Sequence, residues 1–176
     1  MIKLLLLDFD GIMTANRKFY DKSGVCTHKE TCDRDWTSIK RFRAAGIPVE
    51  FLTGDPFNEE ILHSRNIPCI VTRGKNKEDY LPELCETHSV SPENIAYLGD
   101  DLFDIGLLKE VGYPFCPEDA TKDIFTSTKS VCLFRNGGDN LIEYLFYWCR
   151  ENNLIPRLDF EEEYAKILKL DEREKF

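Results

Sequence analysis

Leu4-Leu5-Leu6-Leu7-Asp8-Phe9-Asp10-Gly11-Ile12-Met13-Thr14 is an apolar run that ends abruptly in two carboxylates. A run this short, bounded by glycine, reads as a fully buried parallel strand. Further along, Ala96-Tyr97-Leu98-Gly99-Asp100-Asp101-Leu102-Phe103-Asp104 repeats the arrangement with more acids. In open α/β sheets ligands bind beyond the carboxyl ends of the strands, so both clusters fall where chemistry is done. Carboxylates gathered there repel one another unless a cation sits among them. A hard divalent ion with oxygen ligands, Mg²⁺ above all, meets that need.

Outward from these two stretches, strand and helix signals alternate. Strands are expected near 2–8, 47–53, 68–72, 94–98, 112–115 and 130–134, and helices near 36–45, 56–66, 78–88, 102–111, 119–126 and 139–152. Asp35 stands where an N-cap belongs and Gly46 where a C′ glycine belongs. Pro56 suits a helix's first turn, and Pro82 fits only if its helix starts near Asp79. The alternation implies an α/β fold with a doubly wound, mostly parallel sheet. Residues 1–156 form the core domain. Residues 157–176 form a tail in which Tyr164, Ile167 and Leu168 recur at helical spacing, and it could pack on its own subunit, dangle, or dock on a neighbour, the preferred reading.

Composition excludes several classes. A formal charge of −9 without a compensating basic patch argues against a nucleic-acid binder. The opening apolar run is cut off by Asp8 too early for a signal peptide, and no stretch approaches a membrane span. The seven cysteines, at 26, 32, 69, 85, 116, 132 and 149, are scattered without a paired framework and suit reduced, buried thiols. A cytoplasmic location is expected.

The spacing Asp8-x-Asp10 lets two acids do different work. If the strand continues through the motif, alternate side chains share a face and both reach one pocket. One carboxylate could then bind metal and act as nucleophile while the other moves a proton. The simpler alternative is that the pair merely caps a turn.

Four segments together resemble the haloacid-dehalogenase superfamily of aspartyl-phosphate phosphatases. They are Asp8-Phe9-Asp10-Gly11-Ile12-Met13-Thr14, Leu52-Thr53-Gly54, Lys77, and Gly99-Asp100-Asp101-Leu102-Phe103-Asp104. The resemblance spans about residues 2–150 and implies a Rossmann-like core. It implies that Asp8 attacks phosphorus, that Asp10 serves as acid and base, and that Thr53, Gly54 and Lys77 hold the phosphoryl oxygens. Asp8, Asp100 and the Asp10 backbone carbonyl would ligate Mg²⁺, with Asp101 and Asp104 in support. Lys75 competes with Lys77 for the lysine role, and the spacing to Asp100 favours Lys77.

Between positions 8 and 53, and again between 53 and 77, there is too little chain for a cap domain. Residues 12–33 can form only a β-hairpin flap, with Asp21-Lys22-Ser23-Gly24 as its turn. This resembles the capless branch of 3-deoxy-manno-octulosonate 8-phosphate and sialic-acid-type 9-phosphate phosphatases. In that branch a homotetramer closes each site with a neighbour's hairpin and tail. The same resemblance makes Arg34 and Arg135 candidate substrate contacts, although each could instead serve a local pair or turn. Trp36 departs from the branch, which has a small residue there, and could crowd the pocket. Asp55 tilts the expected substrate toward a nine-carbon sugar, unless it only caps the next helix.

The resulting expectation is a Mg²⁺-dependent phosphomonoesterase for a phosphorylated acidic sugar. The alternatives are a phosphatase for another small phosphomonoester and a non-catalytic assembly module.

Overall fold

The computed structural model describes residues 1–174. Among them, the strands β1 (Leu4–Leu7), β4 (Val49–Thr53), β5 (Cys69–Val71), β6 (Ile95–Leu98), β7 (Tyr113–Pro117) and β8 (Val131–Leu133) form one parallel sheet. Their order is β5-β4-β1-β6-β7-β8. The four leucines of β1 are all buried because they serve two cores at once. Leu5 and Leu7 pack with Ile39, Phe42 and Phe146 on one face. Leu4 and Leu6 pack with Leu84, Leu107 and Ile124 on the other. Period-two alternation with both faces covered is what an unbroken apolar run produces.

The chain runs from β1 outward through β4 and β5, then returns to place β6 on the other side of β1. Strand order therefore reverses between β1 and β6, and their carboxyl ends leave a crevice. The register pairs Leu7 with Leu98, so Asp8 and Gly99 leave the sheet side by side.

The helices are α1 (Asp33–Ala44), α2 (Phe57–Ser64), α3 (Leu81–His88), α4 (Ile105–Glu110), α5 (Lys122–Ser127), α6 (Leu141–Glu151) and α7 (Phe160–Asp171). Gly46 follows α1 at φ +82°, as its C′ role requires. The chain enters α3 through a 3₁₀ turn at Lys77–Tyr80, which leaves Pro82 in the first α-helical turn. Asp35, expected to cap α1, lies inside it, and Cys32 occupies the N-cap position. The Asp35 carboxylate instead accepts the amides of Ile142 (2.8 Å) and Glu143 (3.0 Å) on α6. Asn140, at the start of α6, sits in the left-handed region and offers no side-chain cap, so α1 supplies one across the interface. Burial raises the Asp35 carboxyl to about 6 despite those two bonds.

The flap is small: β2 (Phe19–Tyr20) pairs antiparallel with β3 (Cys26–His28). Asp21 Oδ1 accepts from the amides of Ser23 and Val25 to close its turn. No cap domain is present among the described residues. The tail helix α7 packs on its own subunit, one of the arrangements open to it. It lies on α1 of its own chain, held by Arg41 to Glu163 and by Arg150 to Glu163 at 3.4 Å. Of its expected apolar stripe, Tyr164 and Leu168 are exposed and Ile167 is half-buried. Residues 175–176 of the tail lie outside the described residues.

All seven cysteines are free, and burial pushes the Cys69, Cys116 and Cys149 thiols up to about 12. No helix among the described residues is long and apolar enough to cross a membrane. The cross-helix cap gives a direct expectation. Asp35→Ala should lower stability by about 1–2 kcal/mol and Tm by roughly 3–6 °C, with Asp35→Asn milder because an acceptor remains. Thermal denaturation of the two variants checks it.

Candidate active site

β1 stops at Leu7, so strand alternation does not bring Asp8 and Asp10 together. The chain turns at once instead, with the Met13 amide donating to the Phe9 carbonyl at 2.8 Å. Phe9 is drawn under the turn against Trp36 and Phe51, with ring centroids 6.2 and 5.8 Å away. Trp36 is thus buried beneath the motif and does not crowd the pocket. Gly11 has φ +81°, and a Cβ there would lie 2.0 Å from Asp100 Oδ2. Only glycine permits both the turn and that approach.

Lys77 crosses the crevice. Its ammonium, almost fully buried, donates to Asp8 Oδ1 (2.9 Å), Asp104 Oδ1 (2.7 Å) and Tyr97 Oη (3.1 Å). Burial opposes its charge, but Asp8 and Asp104 outweigh that and hold it above the usual lysine range. Asp104 is further saturated by the Tyr97 hydroxyl (2.5 Å) and by the amides of Asp100 (2.8 Å) and Asp101 (2.9 Å). Asp101 accepts from the Leu102 amide, capping the short 3₁₀ turn at Leu102–Asp104. Lys75 is exposed, over the Tyr80 ring at 5.7 Å.

Asp8, Asp100 and Asp104 each present an oxygen within 4.8 Å of the others. Asp100 Oδ2 accepts from the Asn16 side chain at 2.7 Å, whereas its Oδ1 is buried without a partner. Burial raises Asp8 to about 7, offset partly by Lys77 and reinforced by Asp104. Burial likewise raises Asp100 to about 8, with Asp8 and Asp104 adding repulsion. An orphaned oxygen among crowded acids fits a hard divalent cation. Because Asp104 is already saturated, Asp8 and Asp100 are the side chains that would hold it. The Asp10 carboxylate is engaged elsewhere, which leaves its backbone carbonyl for that purpose.

Lys29, whose side chain is wholly buried, donates to both Asp10 oxygens (2.8 and 2.9 Å), to Asp55 Oδ2 (2.9 Å) and to Asn58 Oδ1 (2.6 Å). Lys18 reaches Asp10 Oδ2 (3.1 Å) and Asp55 Oδ2 (2.8 Å). Burial would raise Asp55, but the two lysines hold it below the usual carboxylate range. Its Oδ1 also accepts the Phe57 amide (3.1 Å), capping α2. Thr53 Oγ1, buried at the end of β4, accepts from Asn58 Nδ2 at 2.7 Å and keeps its proton for another acceptor.

One cavity of about 900 Å³ joins Asp8, Asp10, Thr53, Gly54, Asp55 and Lys77. Arg34 and Arg135 are not part of it. Arg34 is 71% exposed and points to Glu143 at 3.8 Å, on the outer face of α1. Arg135 donates to the Phe134 carbonyl and lies over Tyr144. Its glycine-rich loop instead braces the first motif, the Gly138 amide donating to the Ile12 carbonyl at 2.9 Å. Asn16, Lys18, Lys29, Asn58 and Tyr97 were not anticipated. Tyr97 left a trace, as the polar tip in an otherwise apolar strand.

The parallel sheet, the switch point and this acidic crevice define a doubly wound α/β protein with a site of phosphoryl-transfer type, and the family model for haloacid dehalogenase-like hydrolases matches residues 52–145. The chain belongs to that family. Within it, the chain is 30% identical over 121 residues to 3-deoxy-D-manno-octulosonate 8-phosphate phosphatase of Escherichia coli K12, covering 68% of this chain and 64% of that protein. The chain thus spans just under two thirds of that relative's length. The Haemophilus influenzae enzyme of the same name matches at 30%, covering 68% and 67%. The cobalt-bound structure of the Haemophilus influenzae phosphatase superposes with TM-score 0.81 at 25% identity over 96% of both chains. A family hydrolase from Streptomyces avermitilis superposes at 0.78, with 26% identity over 91% of both.

A cation held by Asp8 and Asp100 would require both carboxyls to lose their protons. Mg²⁺ affinity should therefore weaken as pH falls from about 8.5 to about 6.5, with protons released on binding. Calorimetric titration in buffers of different ionisation heat reads both. An affinity flat across that range contradicts the two raised carboxyls.

Proposed function

We propose that this chain is a Mg²⁺-dependent phosphomonoesterase acting on a phosphorylated acidic sugar through an aspartyl-phosphate. The observation that carries this reading is Asp8, bonded to buried Lys77 and set beside the partnerless oxygen of Asp100 at the sheet's switch point. A carboxylate oxygen of Asp8 attacks phosphorus in line, and the bond to the ester oxygen breaks. Asp10 gives that oxygen a proton. Asp10 then takes a proton from water, whose oxygen attacks phosphorus, releasing phosphate and restoring Asp8. Lys77, Thr53 and the Gly54 backbone hold the phosphoryl oxygens, and Mg²⁺, held by Asp8 and Asp100, would neutralise charge on them.

The named activity of the relatives supports the sugar-phosphate substrate. A homotetramer is part of the same reading, since Phe19, Tyr20 and Val25 leave an apolar flap exposed beside an uncapped site. Seven unpaired thiols suit a cytoplasmic location.

Asp8→Asn should cut turnover at least about a thousandfold while circular dichroism stays native. EDTA should abolish turnover and Mg²⁺ restore it, with Ca²⁺ inhibiting. Substantial activity in folded Asp8→Asn would rule out the aspartyl-phosphate. Light scattering should give about four times the mass of one chain. A fully active monomer would remove the flap from any shared site.

A further inference from the structure

Lys18 stands apart from the other cations of the crevice. Lys29 and Lys77 are buried and Arg73 and Lys75 are exposed, whereas Lys18 lines the same cavity 27% exposed and paired to Asp10 and Asp55. Its partners, Asp10 and Asp55, each keep other donors without it. Asp10 Oδ1 has Lys29, and Asp10 Oδ2 has Lys29 and Asn58. Asp55 Oδ1 has the Phe57 amide, and Asp55 Oδ2 has Lys29. Lys18 can therefore swing away without leaving a carboxylate oxygen undonated. A long, partly exposed side chain loses little by such a move.

Its position gives the move a use. In the proposed reaction Asp10 hands a proton to the ester oxygen, so that oxygen comes within hydrogen-bond reach of Asp10. Lys18 Nζ lies 3.1 Å from Asp10 Oδ2. Its ammonium is then within about 6 Å of the departing oxygen, beside the first atoms of the leaving group rather than the phosphate. Asp55 keeps Lys29 and the Phe57 amide and is tied to α2, so the group free to turn toward the leaving group there is the Lys18 ammonium.

We propose that Lys18 is a specificity-determining residue: its ammonium leaves Asp10 and Asp55 to bind acceptor oxygens, hydroxyl or carboxylate, on the substrate's leaving group. The proposal rests on the phosphomonoesterase reading. It makes a leaving group rich in oxygen the preferred chemistry and a bare aryl or alkyl group a poor one, since the ammonium gains nothing by turning to it.

The test compares kcat/KM for phosphogluconate, sorbitol phosphate and p-nitrophenyl phosphate in wild type, Lys18→Met and Lys18→Arg. In Lys18→Met the ratio of phosphogluconate to p-nitrophenyl phosphate should fall about tenfold or more, and in Lys18→Arg it should stay within about threefold of wild type. A larger fall for phosphogluconate than for sorbitol phosphate assigns the contact to the carboxylate, and equal falls assign it to hydroxyls. A ratio unchanged in Lys18→Met, however far the absolute rates drop, shows that Lys18 only steadies Asp10 and overturns the proposal. A wild type that turns over none of the three with Mg²⁺ removes the phosphomonoesterase reading itself.

Discussion

The ammonium of Lys77, buried between Asp8 and Asp104, is the constraint around which the crevice is built. Charges leave water only when strongly paired, and removing one member of such a pair typically costs about 3–5 kcal/mol. Lys77 neutralises one charge where three acids gather. Burial raises Asp8 and Asp100, the neighbouring acids add to it, and one Asp100 oxygen stands without a partner. Tyr97 and the amides of Asp100 and Asp101 take up the lone pairs of Asp104, fixing the lysine from behind. A site that binds a cation and an anionic phosphoryl group is thus prepared by a local imbalance of charge.

The backbone makes that imbalance possible. Gly11 and Gly99 are the two points where a side chain would collide with Asp100 or Asp104. Two buried strands deliver the acids, and two glycines let them approach. The flap adds a second layer, pinned through Lys18 and Lys29 to the same two carboxylates, Asp10 and Asp55.

The sheet was legible because it obeys strong local rules. Leu4–Leu7 and Ile95–Leu98 are short apolar runs ended by acids, and the structure sets them side by side. Gly46 and the Asp21 turn were readable for the same reason, since each answers to its own few residues. What failed depended on distant partners. Asp35 looked like the cap of its own helix and is the cap of another, because the sequence around it cannot show that α6 begins with a poor N-cap. Asp8-x-Asp10 suggested strand alternation, yet Phe9 is held by Trp36 and Phe51, and the strand ends sooner. Arg34 and Arg135 are placed away from the cavity by Glu143 and Tyr144, which lie far from Arg34 in sequence and a short way beyond Arg135. Lys29 gave no signal at all: a lysine in a polar hairpin looks solvated until Asp10, Asp55 and Asn58 enclose it.

The glycine-rich loop at Gly137–Gly138 ties the first motif to the far side of the fold. A Cβ at Gly137 would lie 1.9 Å from the Gly11 carbonyl, and the Gly138 amide bonds the Ile12 carbonyl. The loop that follows Asp8 is thus braced by one more than a hundred residues later in the sequence, a contact whose loop-closure entropy the fold must offset. The shape of the crevice therefore depends on the junction between β8 and α6 as well as on the two strand ends that carry its acids, so a side chain at Gly137 would disturb the site without touching any acid in it.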